Sequence, residues 1–131
     1  MCIFCQIIEG SIPSEKVYED DNLLAILDIS QTTKGHTLVL PKKHSNNFLE
    51  MDEKEYMNLM NKVQILSKKI IKNLNAKGCN ILINTNKEAG QTVMHSHVHI
   101  IPRYDENDSI NISFKENKYD LNEILEKINE D

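Results

Sequence analysis

The chain has 131 residues and a mass of 15.1 kDa, which suits one domain with a single core and is too short for two. An apolar share of 40%, a charged share of 27% and a mean hydropathy of -0.45 exclude a membrane helix and fit an ordinary globular protein. Fifteen Lys and Arg stand against 20 Asp and Glu, and the net charge of -5 argues against gripping long nucleic acid through its backbone.

Ile3 to Glu9 is a short apolar stretch of uncertain type, closed by Gly10-Ser11 and Pro13. Val17 to Glu19 and Leu23 to Leu27 read as strands around the polar turn Asp20-Asp21-Asn22. His36 to Leu40 reads as a third strand, entered from Gly35 and stopped by Pro41. Asp52, with Glu55 three residues on, opens a long helix whose buried stripe is Tyr56, Leu59, Met60, Val63, Leu66, Ile70 and Leu74; Gly78 is its expected stop. Cys79 to Asn84 and Val93 to Ile101 are the fourth and fifth strands, the latter ended by Pro102. Asp120 and Glu123 start a weaker terminal helix with Leu121, Ile124, Leu125 and Ile128. The class expected is α+β with a mainly antiparallel sheet. Residues 1–10 lack the basic and long apolar regions of a signal peptide, and three cysteines without one point to the reducing cytoplasm.

The chemistry concentrates in His95, His97 and His99. On a strand, alternate positions share a face, and neighbours stand roughly 6.6 Å apart. A solvated polar face would not need three histidines in five positions. A catalytic His-x-His metal site is a second reading, but the nearest downstream acid is Asp105. A third is a central imidazole acting as nucleophile, since a ring with a pKa near ~6.5 is largely neutral at physiological pH. Separately, Cys2-Ile3-Phe4-Cys5 is a C-x-x-C. Alone it reads equally as two buried small side chains, and a redox role would want a preceding strand.

The run from Gly90 through His95-Ser96-His97-Val98-His99 to Arg103 resembles the signature of the histidine triad (HIT) family. So do Leu27-Asp28-Ile29-Ser30, the stretch Lys34 to His44, and the opening from Ile3-Phe4 to Ile12-Pro13, in matching order. The resemblance covers roughly residues 2–104 of one domain spanning 1–131, with 105–131 as an extension. Ser96 departs from the pattern, which has an apolar residue there; an altered packing contact is expected rather than altered chemistry.

This resemblance implies a HIT-like fold: a five-stranded sheet, one long helix and shorter ones. It implies a hydrolase or transferase that cleaves nucleoside phosphoramidates or dinucleoside polyphosphates through a nucleotidyl-histidine. His97 corresponds to the nucleophile, oriented by the backbone carbonyl of His95, with His99 on the phosphate oxygens and His36 behind it. Gln91 and Thr92 correspond to phosphate-side donors, Asp28 to the ribose carboxylate and Asn84 to an amide near the phosphate. Ile12, Leu27 and Ile29 correspond to the apolar lining of a base pocket with weak base selectivity, so the partner expected is a purine nucleotide or its conjugate. Likeness to bacterial members, and to galactose-1-phosphate uridylyltransferases, makes Cys2, Cys5, His44 and His95 a closed structural zinc site. A homodimer with the long helix near its interface is also implied. A non-catalytic nucleotide-binding scaffold and a metal-dependent hydrolase stand as alternatives.

Overall fold

The computed structural model describes residues 2–131. In chain order it has α1 (Ile3–Glu9), β1 (Lys16–Glu19), β2 (Leu23–Leu27), β3 (Thr37–Pro41), α2 (Glu53–Leu74), β4 (Gly78–Leu82), β5 (Val98–Arg103) and α3 (Leu121–Ile128). Short 3-10 turns occupy Phe48–Glu50 and Lys87–Ala89. The strands form one sheet in the order β1-β2-β3-β5-β4, antiparallel at every pairing. This is the expected α+β class with five antiparallel strands. No helix among the described residues is long and apolar enough to cross a membrane.

Strand alternation gives the sheet two faces. On one, Leu23, Ala25, Val39, Val98 and Ile100 meet the α2 stripe Leu59, Val63, Leu66 and Ile70. On the other, Leu24, Ile26, Leu38 and Leu40 pack with Phe4 of α1. Each of these buried side chains larger than Ala25 contributes roughly 1.5–3 kcal/mol before entropic costs. His99 lies between Val98 and Ile100 and pairs across the sheet with Leu38, so it belongs to the α1 face. The long helix therefore supports the sheet from behind, and the histidines gather on the side that α1 closes.

Several local expectations are corrected. Ile3 to Glu9 is a helix, because the Cys2 sulfur accepts from the Cys5 amide at its start and Gly10, at φ 93°, closes its end. Asp52 caps α2 as expected, its Oδ1 accepting from the Glu55 amide at 2.8 Å. The stop is Asn75, left-handed at φ 58°, and Gly78 instead opens β4. The strand expected from Val93 begins only at Val98, because the Ser96 amide donates to the Ser45 carbonyl rather than to a ladder. Pro102 does not end β5; it lies within the strand, beyond Ile100, the last residue of β5 paired with β3. β4 stops at Leu82, which leaves Asn84 in the following loop, and β3 starts one residue after His36.

Candidate active site

Hydrogen bonding fixes the tautomers of the histidines, since a carbonyl only accepts and an amide N–H only donates. His97 Nδ1–H donates to the His95 carbonyl at 2.7 Å, so the His97 Nε2 lone pair is free. The Thr32 amide approaches His36 Nδ1 at 3.4 Å, which puts the ring proton of neutral His36 on Nε2. That Nε2–H donates to His99 Nδ1 at 3.0 Å and leaves His99 with its proton on Nε2. The result is one ring with a free electron pair beside one with an unclaimed proton, centroids 5.1 Å apart. Burial lowers the His97 pKa against the opposing help of the His95 carbonyl and Asp28. Burial, then the neighbouring rings of His97 and His36, pushes His99 down to about 4. Both rings are neutral at physiological pH, as a nucleophile and a hydrogen-bond donor require.

Asp28 and His36 extend this cluster. Asp28 Oδ2 is 3.7 Å from His36 Nε2, and its Oδ1 accepts from the Ser30 amide at 2.8 Å. Asp28, His36 and His99 are close enough to suggest a metal. The 3.0 Å His36–His99 separation and the proton between them describe a hydrogen bond instead. Gly35 precedes His36 with φ at +93°, and an added Cβ would collide with Leu74 Cδ1.

A second cluster lies on the other side of His97. Cys2 and Cys5 Sγ lie 3.4–3.6 Å from the Nδ1 atoms of His44 and His95, and the two Nδ1 atoms are 3.2 Å apart. A tetrahedral ion with metal–sulfur bonds of ~2.3 Å and metal–nitrogen bonds of ~2.05 Å needs edges of about 3.6 Å and 3.4 Å. The tautomers agree. His95 Nε2–H donates to the Pro41 carbonyl at 2.7 Å and His44 Nε2–H to Asn46 Oδ1 at 3.1 Å. Both Nδ1 lone pairs therefore face each other at 3.2 Å, an arrangement that a cation between them stabilises. Burial raises the Cys2 thiol, but the Cys5 groups and the His44 ring outweigh it, and its pKa falls below the ordinary value. Burial and the Cys2 sulfur raise that of Cys5. The four residues thus form a cluster arranged to hold a metal ion, with no ligand position left over.

The remaining predicted residues are placed as follows. Gln91 is buried, and its amide donates to the carbonyls of Asn46 at 2.6 Å and Val93 at 2.9 Å while Oε1 accepts from the Asn86 amide. It straps the loop before the histidines and has no amide hydrogen free. Thr92 beside it is exposed, and Asn84 Nδ2 reaches the Gly90 carbonyl at 3.5 Å. Ile12 is half-buried, Leu27 is 37% exposed and Ile29 is 100% exposed, so apolar surface flanks Asp28. Ser96 is buried and meets Ser45, Oγ to Oγ at 2.6 Å, a polar pair in place of an apolar contact. Sequence reasoning missed Phe4, whose ring stands edge-on to both His95 and His97. It also missed the carbonyl of Pro41 and the amide of Thr32, which leave no mark in side-chain patterns. A separate cleft of about 540 Å³, bordered by Lys42, Lys43, Lys54 and Glu55, gathers none of the histidines.

An antiparallel sheet thus carries a hydrogen-bonded chain of histidines in which one ring keeps a free lone pair. The HIT domain family matches residues 9–106, and the chain belongs to that family. An uncharacterised HIT-like protein of Methanocaldococcus jannaschii is 49% identical over 98% of both chains. An adenylylsulfatase of Arabidopsis thaliana is 40% identical over 78% of this chain and 52% of its own. Among solved structures, a Streptococcus mutans protein superposes with TM-score 0.91 and 46% identity over 97% of this chain and 82% of its own. A histidine triad nucleotide-binding protein from Candida albicans does so with TM-score 0.86 and 31% identity over 98% and 94%.

Proposed function

We propose that this protein is a nucleotide-binding hydrolase or transferase that cleaves nucleoside 5'-phosphoramidates or dinucleoside polyphosphates at the α-phosphorus. The observation that carries this reading is the His97 Nδ1–H bond to the His95 carbonyl, which leaves Nε2 as a buried, unprotonated nucleophile. Nε2 attacks phosphorus, the bond to the leaving amine or phosphate breaks, and that group departs with the electron pair and takes up a proton. Water then attacks the nucleotidyl-histidine, releasing the monophosphate and restoring His97. The Nε2–H of His99 serves the phosphate oxygens as negative charge shifts onto them, and His36 keeps that proton in place.

Asp28 accepts from the ribose hydroxyls, and the exposed Leu27 and Ile29 with Ile12 cover one face of a purine. Apolar contact grips a ring without reading its edge, so base selectivity is weak. Thr92 and Asn84 supply the phosphate-side donors; Gln91 serves by holding their loop. Cys2, Cys5, His44 and His95 hold zinc, which when bound ties α1 to the catalytic loop as a structural clip. With all four positions filled by protein, a metal-activated water has no place there. The protein works in the cytoplasm as a homodimer.

The test is incubation with an adenosine phosphoramidate and a diadenosine polyphosphate, followed by a quench that avoids acid. An AMP adduct on His97 and release of AMP are expected. Brisk turnover with no adduct at His97 overturns the mechanism, and AMP binding without turnover of any such substrate favours the scaffold reading.

A further inference from the structure

The His97 ring takes its direction from the carbonyl of His95, which belongs to the amide joining His95 to Ser96. An amide is planar, and this one is trans, as there is no cis peptide bond among the described residues. Its C=O and N–H therefore point in opposite directions from one rigid plate. At one end the C=O accepts from His97 Nδ1–H at 2.7 Å. At the other the Ser96 N–H donates to the Ser45 carbonyl at 2.8 Å. A hold on the N–H thus limits where the C=O can point. It also makes that oxygen a better acceptor, because hydrogen bonds in series polarise one another.

Ser45 holds more than the N–H. The two hydroxyl oxygens lie 2.6 Å apart, and Ser96 Oγ lies 3.3 Å from the Ser45 carbonyl. One assignment uses both protons: Ser45 Oγ–H donates to Ser96 Oγ, and Ser96 Oγ–H donates to the Ser45 carbonyl. Three contacts join two residues 51 positions apart, and Ser96, at 2% exposure, makes them away from water. A hydrocarbon side chain at 96 would leave the Ser45 hydroxyl facing carbon, so the two hydroxyls work as a pair.

Ser45 is itself anchored from both sides. His44 before it meets His95, Nδ1 to Nδ1, and the Asn46 carbonyl after it accepts from Gln91 Nε2 at 2.6 Å. Three successive residues therefore each grip the loop that carries His95 and His97. They do so where the sheet does not, since β5 begins only at Val98, opposite Val39 of β3.

We propose that Ser45 and Ser96 are positioning residues, which clamp the His95–Ser96 amide and through it aim the His97 ring. Both act on the ring through the amide rather than on the substrate. This deepens the reading of His97 as a nucleophile and rests on it.

The experiment compares Ser96→Val with Ser96→Thr, which share a shape and differ by a hydroxyl. Ser45→Ala, which adds no volume at a half-buried position, is the third variant. Nitrogen NMR of the imidazoles, at a pH where the ring is neutral, reads which nitrogen of His97 carries the proton. Turnover of an adenosine phosphoramidate gives kcat and KM. The wild type and Ser96→Thr should keep the proton on Nδ1 and share one kcat. Ser96→Val and Ser45→Ala should shift a measurable share of it to Nε2 and lower kcat roughly tenfold, with KM within about twofold. A proton that stays on Nδ1 in both of these variants overturns the clamp. So does Ser96→Thr as impaired as Ser96→Val, since side-chain volume would then account for the loss. Should Ser96→Val fail to fold, Ser45→Ala decides alone. If the wild type turns over no such substrate, the reading of function fails, and the proton positions still decide the clamp.

Discussion

Phe4 stands edge-on to His97, with ring centroids 4.9 Å apart and planes at 80°. In sequence it lies between Cys2 and Cys5, so the segment that supplies both sulfurs of the Cys/His cluster also supplies the wall against His97. Replacing Phe4 by Leu removes the ring edge without disturbing the sulfurs. Turnover is expected to fall by roughly tenfold, mainly in kcat, with metal content unchanged. An unchanged kcat would show that the wall is packing alone.

The nucleophile proposed above, His97, gives the sharpest test. His97→Ala should cost about 10⁴-fold or more in turnover while AMP binding, followed by calorimetry, stays near that of the wild type. Residual turnover near the wild-type rate would remove His97 from the mechanism. His36→Ala should lower kcat more than it raises KM, because it takes the partner from His99 Nδ1 at 3.0 Å, while Asp28 loses a neighbour 3.7 Å away.

Metal analysis tests the four-residue cluster. Wild-type protein should carry about one equivalent of zinc and Cys5→Ala close to none, with a lower melting temperature. Equal metal in both would dismiss the site. Brief chelation that leaves the fold intact should leave turnover intact too, since no step of the reaction uses the ion.

The buried rings give stability a pH dependence with a definite sign. His97 and His99 have lowered pKa values when folded, His99 at about 4, while an unfolded histidine titrates near ~6.5. Between those values the unfolded chain holds more protons, so the stabilisation is complete above ~6.5 and is lost as pH falls toward 4. The melting temperature should therefore drop from pH 7 to pH 5, less steeply in His99→Gln than in the wild type. Parallel slopes would assign the loss to other groups.

Gly35→Ala probes the support behind His36. The positive φ and the approach to Leu74 should together cost about 1–3 kcal/mol in chemical denaturation. A neutral result would mean that the loop relaxes without strain.

The strand pattern was legible because the buried sheet imposes period two, and α2 because its stripe repeats at helical spacing. The histidines were legible as chemistry but not as placement. Alternation suggested one continuous strand, whereas only His99 lies in β5 and His97 is aimed by a carbonyl that spacing does not reveal. Asn75 took the role expected of Gly78 because asparagine also tolerates left-handed backbone. Gln91 looked like a ligand donor, and only the carbonyls of Asn46 and Val93, one of them 45 positions away, show that its hydrogens are engaged.

His95 presents its imidazole to the sulfurs and its carbonyl to His97, two ends of a single amino acid. A disturbance at the sulfurs therefore reaches the attacking nitrogen as a twist of a few rotatable bonds, with no need for the sheet to loosen. Thiol oxidation, which changes the sulfurs themselves and not only the ion, would therefore show up twice, as a misaimed ring in the rate and as a loosened clip in the melting curve.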